Sequence, residues 1–69
     1  MGIRKLKNSI GRKIRFLRLE HGLSQEKLAE AANLSREHIS CIERGKNLPT
    51  LETLYNIAKY FEIDIKYFL

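Results

Sequence analysis

Ser24 with Gln25, and the loop GKNLPT with its Thr50, are the places where this 69-residue chain gathers donors able to hold an anion. Ser24 and Thr50 stand where helical patterns begin. A helix start leaves backbone N–H groups unpaired at the positive end of its dipole, which suits a phosphate. Gln25 adds an amide donor at the first of these starts, and Gly45, Lys46 and Asn47 add donors at the second. Between them, Ser35 opens a further helix whose first turn holds Arg36 and Glu37. Arginine can give two donors to O6 and N7 of a guanine, or pair with a phosphate. A carboxylate is repelled by phosphates, so Glu37 either accepts from the amino group of a cytosine or stabilises the helix start. This is hydrogen-bonding chemistry. The parts of an enzyme are missing: there is no Gly-rich phosphate loop, no paired-histidine motif and no Ser/His/Asp set. His21 and His38 are isolated, and the lone Cys41 makes neither an internal disulfide nor a metal site. No catalysis, cofactor or metal is expected.

The spacing of apolar residues shows what positions these groups. In LSQEKLAEAANLSREHISCIERGK, two short helical patterns are separated by about three residues, the length of a helix-turn-helix corner. Counted from Gln25, the fourth, eighth, tenth, fifteenth and eighteenth positions must be apolar to hold the two helices together. They are Leu28, Ala32, Leu34, Ile39 and Ile42. The fifth sits where the helices approach closest and must be small, and it is Ala29; the ninth makes the corner, and Asn33 tolerates the left-handed backbone needed there. An αα-hairpin of some other small helical protein would meet only some of these constraints.

The rest of the chain is read around this corner. Ile3, Leu6, Ile10, Ile14 and Leu17 continue one stripe, so residues 1–9 are either a basic arm or the start of the first helix, with Asn8 the expected cap. Gly22 ends that helix, and Leu23 turns into the core. The second helix is expected over 25–32, the third over 36–44 and closed by Gly45. The fourth runs from Thr50 with Leu51, Leu54, Ile57, Ala58 and Phe61 inward, and a short last helix over 64–68 returns Ile63, Ile65, Phe68 and Leu69 to the core. With 43% apolar residues the chain can fold as one domain, though around a modest core. It has no apolar run of membrane-spanning length, and no apolar leader segment follows its basic start, so a cytoplasmic chain is expected.

Charge is unevenly placed. Residues 1–21 carry seven Lys/Arg against one Glu, residues 22–48 four of each sign, and residues 49–69 two against three, for a net +5. Concentrating the positive charge in the first helix beside a helix-turn-helix favours a polyanion over a merely solvated face.

The stretch from Ile10 to Leu69 resembles the lambda-repressor-like helix-turn-helix domains, the Cro and phage-repressor type also called Xre. The resemblance rests on RLEHGLSQEKLA, SREHISCIERG and PTLETLYNIAKYF. It implies an all-α, compact five-helix DNA-binding domain over residues 10–69, acting as a dimer. The recognition helix would be Ser35–Arg44, with base-reading positions at Arg36, Glu37 and Cys41 and with Ser40 beside them. Phosphate-contacting positions would be Gln25, His38, Arg44, Lys46 and Asn47, joined by the caps Ser24 and Ser35. An Arg–Glu pair tying the first helix to the third would be Arg18 and Glu43. Cys41 departs from the pattern, since a polar side chain commonly reads a base there.

The expected function is therefore sequence-specific binding of double-stranded DNA by a transcriptional regulator, a repressor reading the major groove with residues 36–44. Its partners would be an operator of two half-sites and a second copy of the chain, with no membrane and no small-molecule ligand. Tyr55, Tyr60 and Tyr67 read as rim or interface residues rather than RNA-stacking platforms. The alternative is a protein-interaction module on the same scaffold, such as an antitoxin or a coactivator subunit.

Overall fold

A computed structural model describes residues 2–69. They form four α-helices, α1 (Ile3–Glu20), α2 (Gln25–Ala32), α3 (Arg36–Glu43) and α4 (Leu51–Phe61), followed by a 3-10 turn at Ile65–Phe68. The architecture is all-α with a helix-turn-helix, but it has four helices and not the expected five. The last segment is one turn of i→i+3 bonds, Tyr67 N to Asp64 O and Leu69 N to Lys66 O. A 3-10 turn stacks side chains three apart, which sets Ile65 above Phe68 and lets Phe68 be fully buried.

Helix starts follow local chemistry. Ser24, Ser35 and Thr50 accept the N–H of the residue three positions on, at 3.0, 3.1 and 3.1 Å. Each such cap stabilises its helix by about 1 kcal/mol. The first helix takes the earlier of its two expected starts, and Asn8 is not its cap. It begins at Ile3 with Gly2 as its N-cap, and Asn8 lies inside it, in its second turn. Leu6, packed against the core, extends the apolar stripe far enough to carry the helix back to Ile3.

All four helices end alike. Gly22, Asn33, Gly45 and Glu62 take φ of 66°, 58°, 76° and 56°. The next residue in each case bonds back to a carbonyl five positions earlier: Leu23 to Arg18, Leu34 to Ala29, Lys46 to Cys41 and Ile63 to Ala58, at 2.8–2.9 Å. This Schellman closure satisfies carbonyls that the helix leaves free, and it turns Leu23, Leu34 and Ile63 back onto the core. Glu62 does this without glycine, at a steric cost of roughly 1–2 kcal/mol.

The core is built as the spacing requires by Ile10, Ile14 and Leu17 of α1, Leu28, Ala29 and Ala32 of α2, and Ile39 and Ile42 of α3, closed over by α4. Two expected core residues lie outside it. Leu51 is 67% exposed because the buried face of α4 is centred on Leu54, Ile57 and Phe61 and Leu51 stands to one side of it, and Leu69 is 65% exposed beyond the 3-10 turn. Thr53, bonded through Oγ1 to Thr50 Oγ1 at 3.0 Å, is buried at the start of α4 instead. Among the described residues no helix is long and apolar enough to cross a membrane.

The approach of α1 to α3 depends on Gly11, which is buried. A Cβ there would collide with the Ile42 carbonyl oxygen and lie 2.8 Å from that of Glu43. Both obstacles are backbone, so neither can move without shifting α3. Gly11→Ala should therefore destabilise the chain by roughly 1–3 kcal/mol despite alanine's better helix propensity. Denaturant unfolding checks this; a variant as stable as the wild type or more so would show that α3 is free to retreat.

Candidate nucleic-acid interface

The outward face of α3 carries Arg36, Ser40 and Arg44 in one row and Glu37 and Cys41 in the next, each row at a spacing of four residues. Ile39 and Ile42 on the opposite side are fully buried. Arg36, Glu37 and Arg44 are exposed, and Ser40 and Cys41 half-buried. His38 is exposed at the flank of this face. Ser24 and Ser35 lie exposed at the starts of α2 and α3, and Lys46 and Asn47 are exposed in the loop that follows α3.

Beneath this face runs a continuous set of polar contacts. Arg18 of α1 meets Glu43 of α3 side-on, Nε to Oε2 at 2.7 Å and a second guanidinium nitrogen to Oε1 at 3.1 Å. Its third nitrogen donates to the Leu23 carbonyl at 2.8 Å, so one side chain ties α1, the α1–α2 turn and α3 together. Both residues are 8% exposed. Gln25 Nε2 donates to the same Glu43 Oε1 at 3.1 Å, and Gln25 Oε1 accepts from Arg36 at 3.4 Å. Only this orientation of the amide serves both a carboxylate and a guanidinium. Among the described residues no buried side-chain polar atom lacks a partner.

The contacts qualify the roles read from the sequence. The Gln25 amide nitrogen is held by Glu43, which leaves one of its two hydrogens for an outside acceptor. Arg44 folds back along α3, with Nε donating to the Ser40 carbonyl at 3.3 Å and a terminal nitrogen 3.7 Å from Cys41 Sγ. The thiol is thus partly covered by a cation. Glu37 enters none of the side-chain hydrogen bonds among the described residues. Sequence reasoning missed the link from Gln25 to Arg36, because a spacing of eleven residues across a turn carries no helical signal. It also missed a groove of about 390 Å³ along α1, lined by Lys5, Asn8, Ser9 and Arg12. Their spacing of three, four and seven residues was a readable polar stripe.

A family model described as helix-turn-helix matches residues 14–68. An uncharacterized HTH-type transcriptional regulator of Methanocaldococcus jannaschii is 41% identical over 54 residues, covering 78% of this chain and 82% of that protein. The immunity repressor protein of Bacillus phage phi105 is 40% identical over 57 residues; the match covers 83% of this chain but 40% of the repressor. Among solved structures, the restriction-modification controller protein C.AhdI from Aeromonas hydrophila superimposes with a TM-score of 0.85 at 30% identity, covering 91% of this chain and 96% of that one.

A chain of this size is stable by on the order of 5 kcal/mol. Removing one partner of a buried ion pair costs roughly 3–5 kcal/mol, because the other charge is left in a dry site. Glu43→Ala and Arg18→Ala should each lose most of the stability, and Arg18→Lys should recover little, since an ammonium cannot reproduce the side-on pair together with the Leu23 bond. Gln25→Ala should cost only about 0.5–1.5 kcal/mol. Thermal melts of the four variants check this order; a Glu43→Ala variant within about 1 kcal/mol of wild type would remove the pair from the account.

Proposed function

The chain belongs to the helix-turn-helix family, in its lambda-repressor-like branch, and from that premise we propose that it binds specific sites in double-stranded DNA and regulates transcription as a repressor. The observation that carries this reading is the run of contacts from Arg18 through Glu43 and Gln25 to Arg36. It ends on the Arg36 guanidinium, 3.4 Å from Gln25 Oε1 on the first turn of α3, the part of a recognition helix that meets base edges. Arg36 then bonds a guanine and Glu37 accepts from a cytosine, with Ser40 beside them. Cys41, a weak hydrogen-bonding group under Arg44, adds little direct readout.

The flanking groups set register. With Ser24 and Ser35 each taking one N–H of their own helix, the remaining first-turn N–H groups of α2 and α3 face outward for phosphates. Gln25 with its second amide hydrogen, His38, Arg44, Lys46 and Asn47 extend this set. Such contacts position the protein and carry no sequence information.

A single α3 reads few bases, so the working form is a homodimer on two half-sites, with recognition helices about 34 Å apart. Tyr60, Tyr67 and Leu69, exposed by 47%, 41% and 65%, supply apolar surface for it. Sedimentation should show weak dimerisation that DNA tightens; a monomer binding DNA one-to-one without a two-fold site would rule it out.

Binding of variants to a randomised duplex library at two salt concentrations tests the roles. Arg36→Ala should cost roughly 1–3 kcal/mol on the best site and much less on mixed sequence. Lys46→Ala should weaken all sequences equally and lower the salt slope by about one. Glu37→Gln should raise general affinity, by removing a negative charge, while shifting the preferred base towards adenine. Cys41→Ser should change little. Uniform losses with unchanged base preference for Arg36 and Glu37 would show that α3 is not the reading element.

A further inference from the structure

The first turns of α1 hold a set of donors that the roles above leave unused. Residues 5–12 precede the segment matched to the family, which begins at residue 14. Here α1 leans against the loop after α3. A Cβ on Gly45 would collide with Asn8 Oδ1 and lie 3.2 Å from Asn8 Cγ, so Asn8 sits beside the backbone that leads directly into Lys46 and Asn47. The groove lined by Lys5, Asn8, Ser9 and Arg12 starts at this seam.

The cations of α1 have different fates. Arg18 is consumed by Glu43, and Lys13 lies over the Tyr67 ring, 5.7 Å from its centroid. Lys5 and Arg12 are exposed and meet no acceptor among the described residues. No acidic residue stands on α1 ahead of Glu20. Lys5 and Arg12 are seven residues apart, about 10 Å along the helix axis, with an amide and a hydroxyl between them. A DNA strand carries a phosphate for about every 3.4 Å of duplex axis, so two cations at this separation reach different phosphates of one strand.

We infer that Lys5, Asn8 and Arg12 form a second contact to the DNA backbone, on the strand that passes Gly45–Asn47 and continues along α1. The inference rests on the proposed DNA-binding function and extends the bound stretch beyond the reach of α2 and α3. The contact is electrostatic and blind to sequence. Ser9 and Asn8 donate to phosphate oxygens between the two cations.

The test compares the full chain with Lys5→Ala/Arg12→Ala, with Lys46→Ala, and with Lys59→Ala, which removes a charge from α4 on a separate groove. Each is titrated with the library-selected duplex and with mixed-sequence duplex between 50 and 200 mM salt, after circular dichroism has shown unchanged helix content. The double variant should bind both duplexes more weakly by the same factor, with base preference intact. Its salt slope should fall by about 0.9 for each lost contact, so that the wild type's advantage shrinks about tenfold across this salt range. Lys59→Ala should leave the slope near the wild-type value. If the double variant keeps the wild-type slope while Lys46→Ala lowers it, the contact along α1 does not exist and the reading of α3 stands. If Lys59→Ala lowers the slope by half or more of the double variant's change, the effect is net charge alone and the inference falls. A wild type that fails to bind either duplex at 50 mM salt overturns the DNA-binding reading itself, and this contact with it.

Discussion

The side-on pairing of Arg18 with Glu43 is the interaction on which the other features of this small domain depend. It joins the first and third helices through two bonds, and a further Arg18 bond holds the turn between α1 and α2. Burying two charges gives little net stability by itself, because the desolvation cost is close to the attraction gained. What it provides is a fixed geometry. An arginine with three occupied nitrogens can hold α3 in only one rotation, and Gly11 lets the two helices come close enough for the pair to form.

That fixed geometry bears directly on the outward face. Glu43 Oε1 accepts from Arg18 and from Gln25 at once, and Gln25 passes the constraint on to Arg36. A buried charge inside the fold and an exposed charge on its surface are thus linked through one amide. The arrangement occupies one of the two amide hydrogens of Gln25. In return it pre-sets a long arginine side chain that would otherwise lose considerable rotamer entropy on binding.

Much of this was legible in the sequence because it is local. The corner required apolar or small residues at Leu28, Ala29, Ala32, Leu34, Ile39 and Ile42; all are buried except Leu34, which is half-buried against the core. Asn33 adopts the left-handed conformation that its position demands. What spacing could not show depends on distant parts of the chain. Gly11 looks like a mild defect in a helix until the carbonyls of Ile42 and Glu43 lie against it. Glu62 ends α4 with a positive φ that no local preference predicts. Leu51 shares the spacing of core residues but stands to one side of the face that α4 buries, and the final segment carried a helical stripe too short to separate α from 3-10. Of the candidate contacts, the residue types along α3 were readable, whereas the bonds that preoccupy Gln25 and Arg44 were not.

The central claim is that the buried network sets the position of Arg36, the arginine proposed to read a base, and a double-mutant cycle between Gln25 and Arg36 tests it most directly. Gln25→Ala, Arg36→Ala and the double variant are titrated with the best duplex and with mixed-sequence DNA, at a temperature where all remain folded. A coupling of about 0.5–3 kcal/mol on the best duplex, close to zero on mixed sequence, is the predicted result. Strict additivity on both duplexes, within about 0.3–0.5 kcal/mol, would contradict it and show that Arg36 takes its place without help from Gln25.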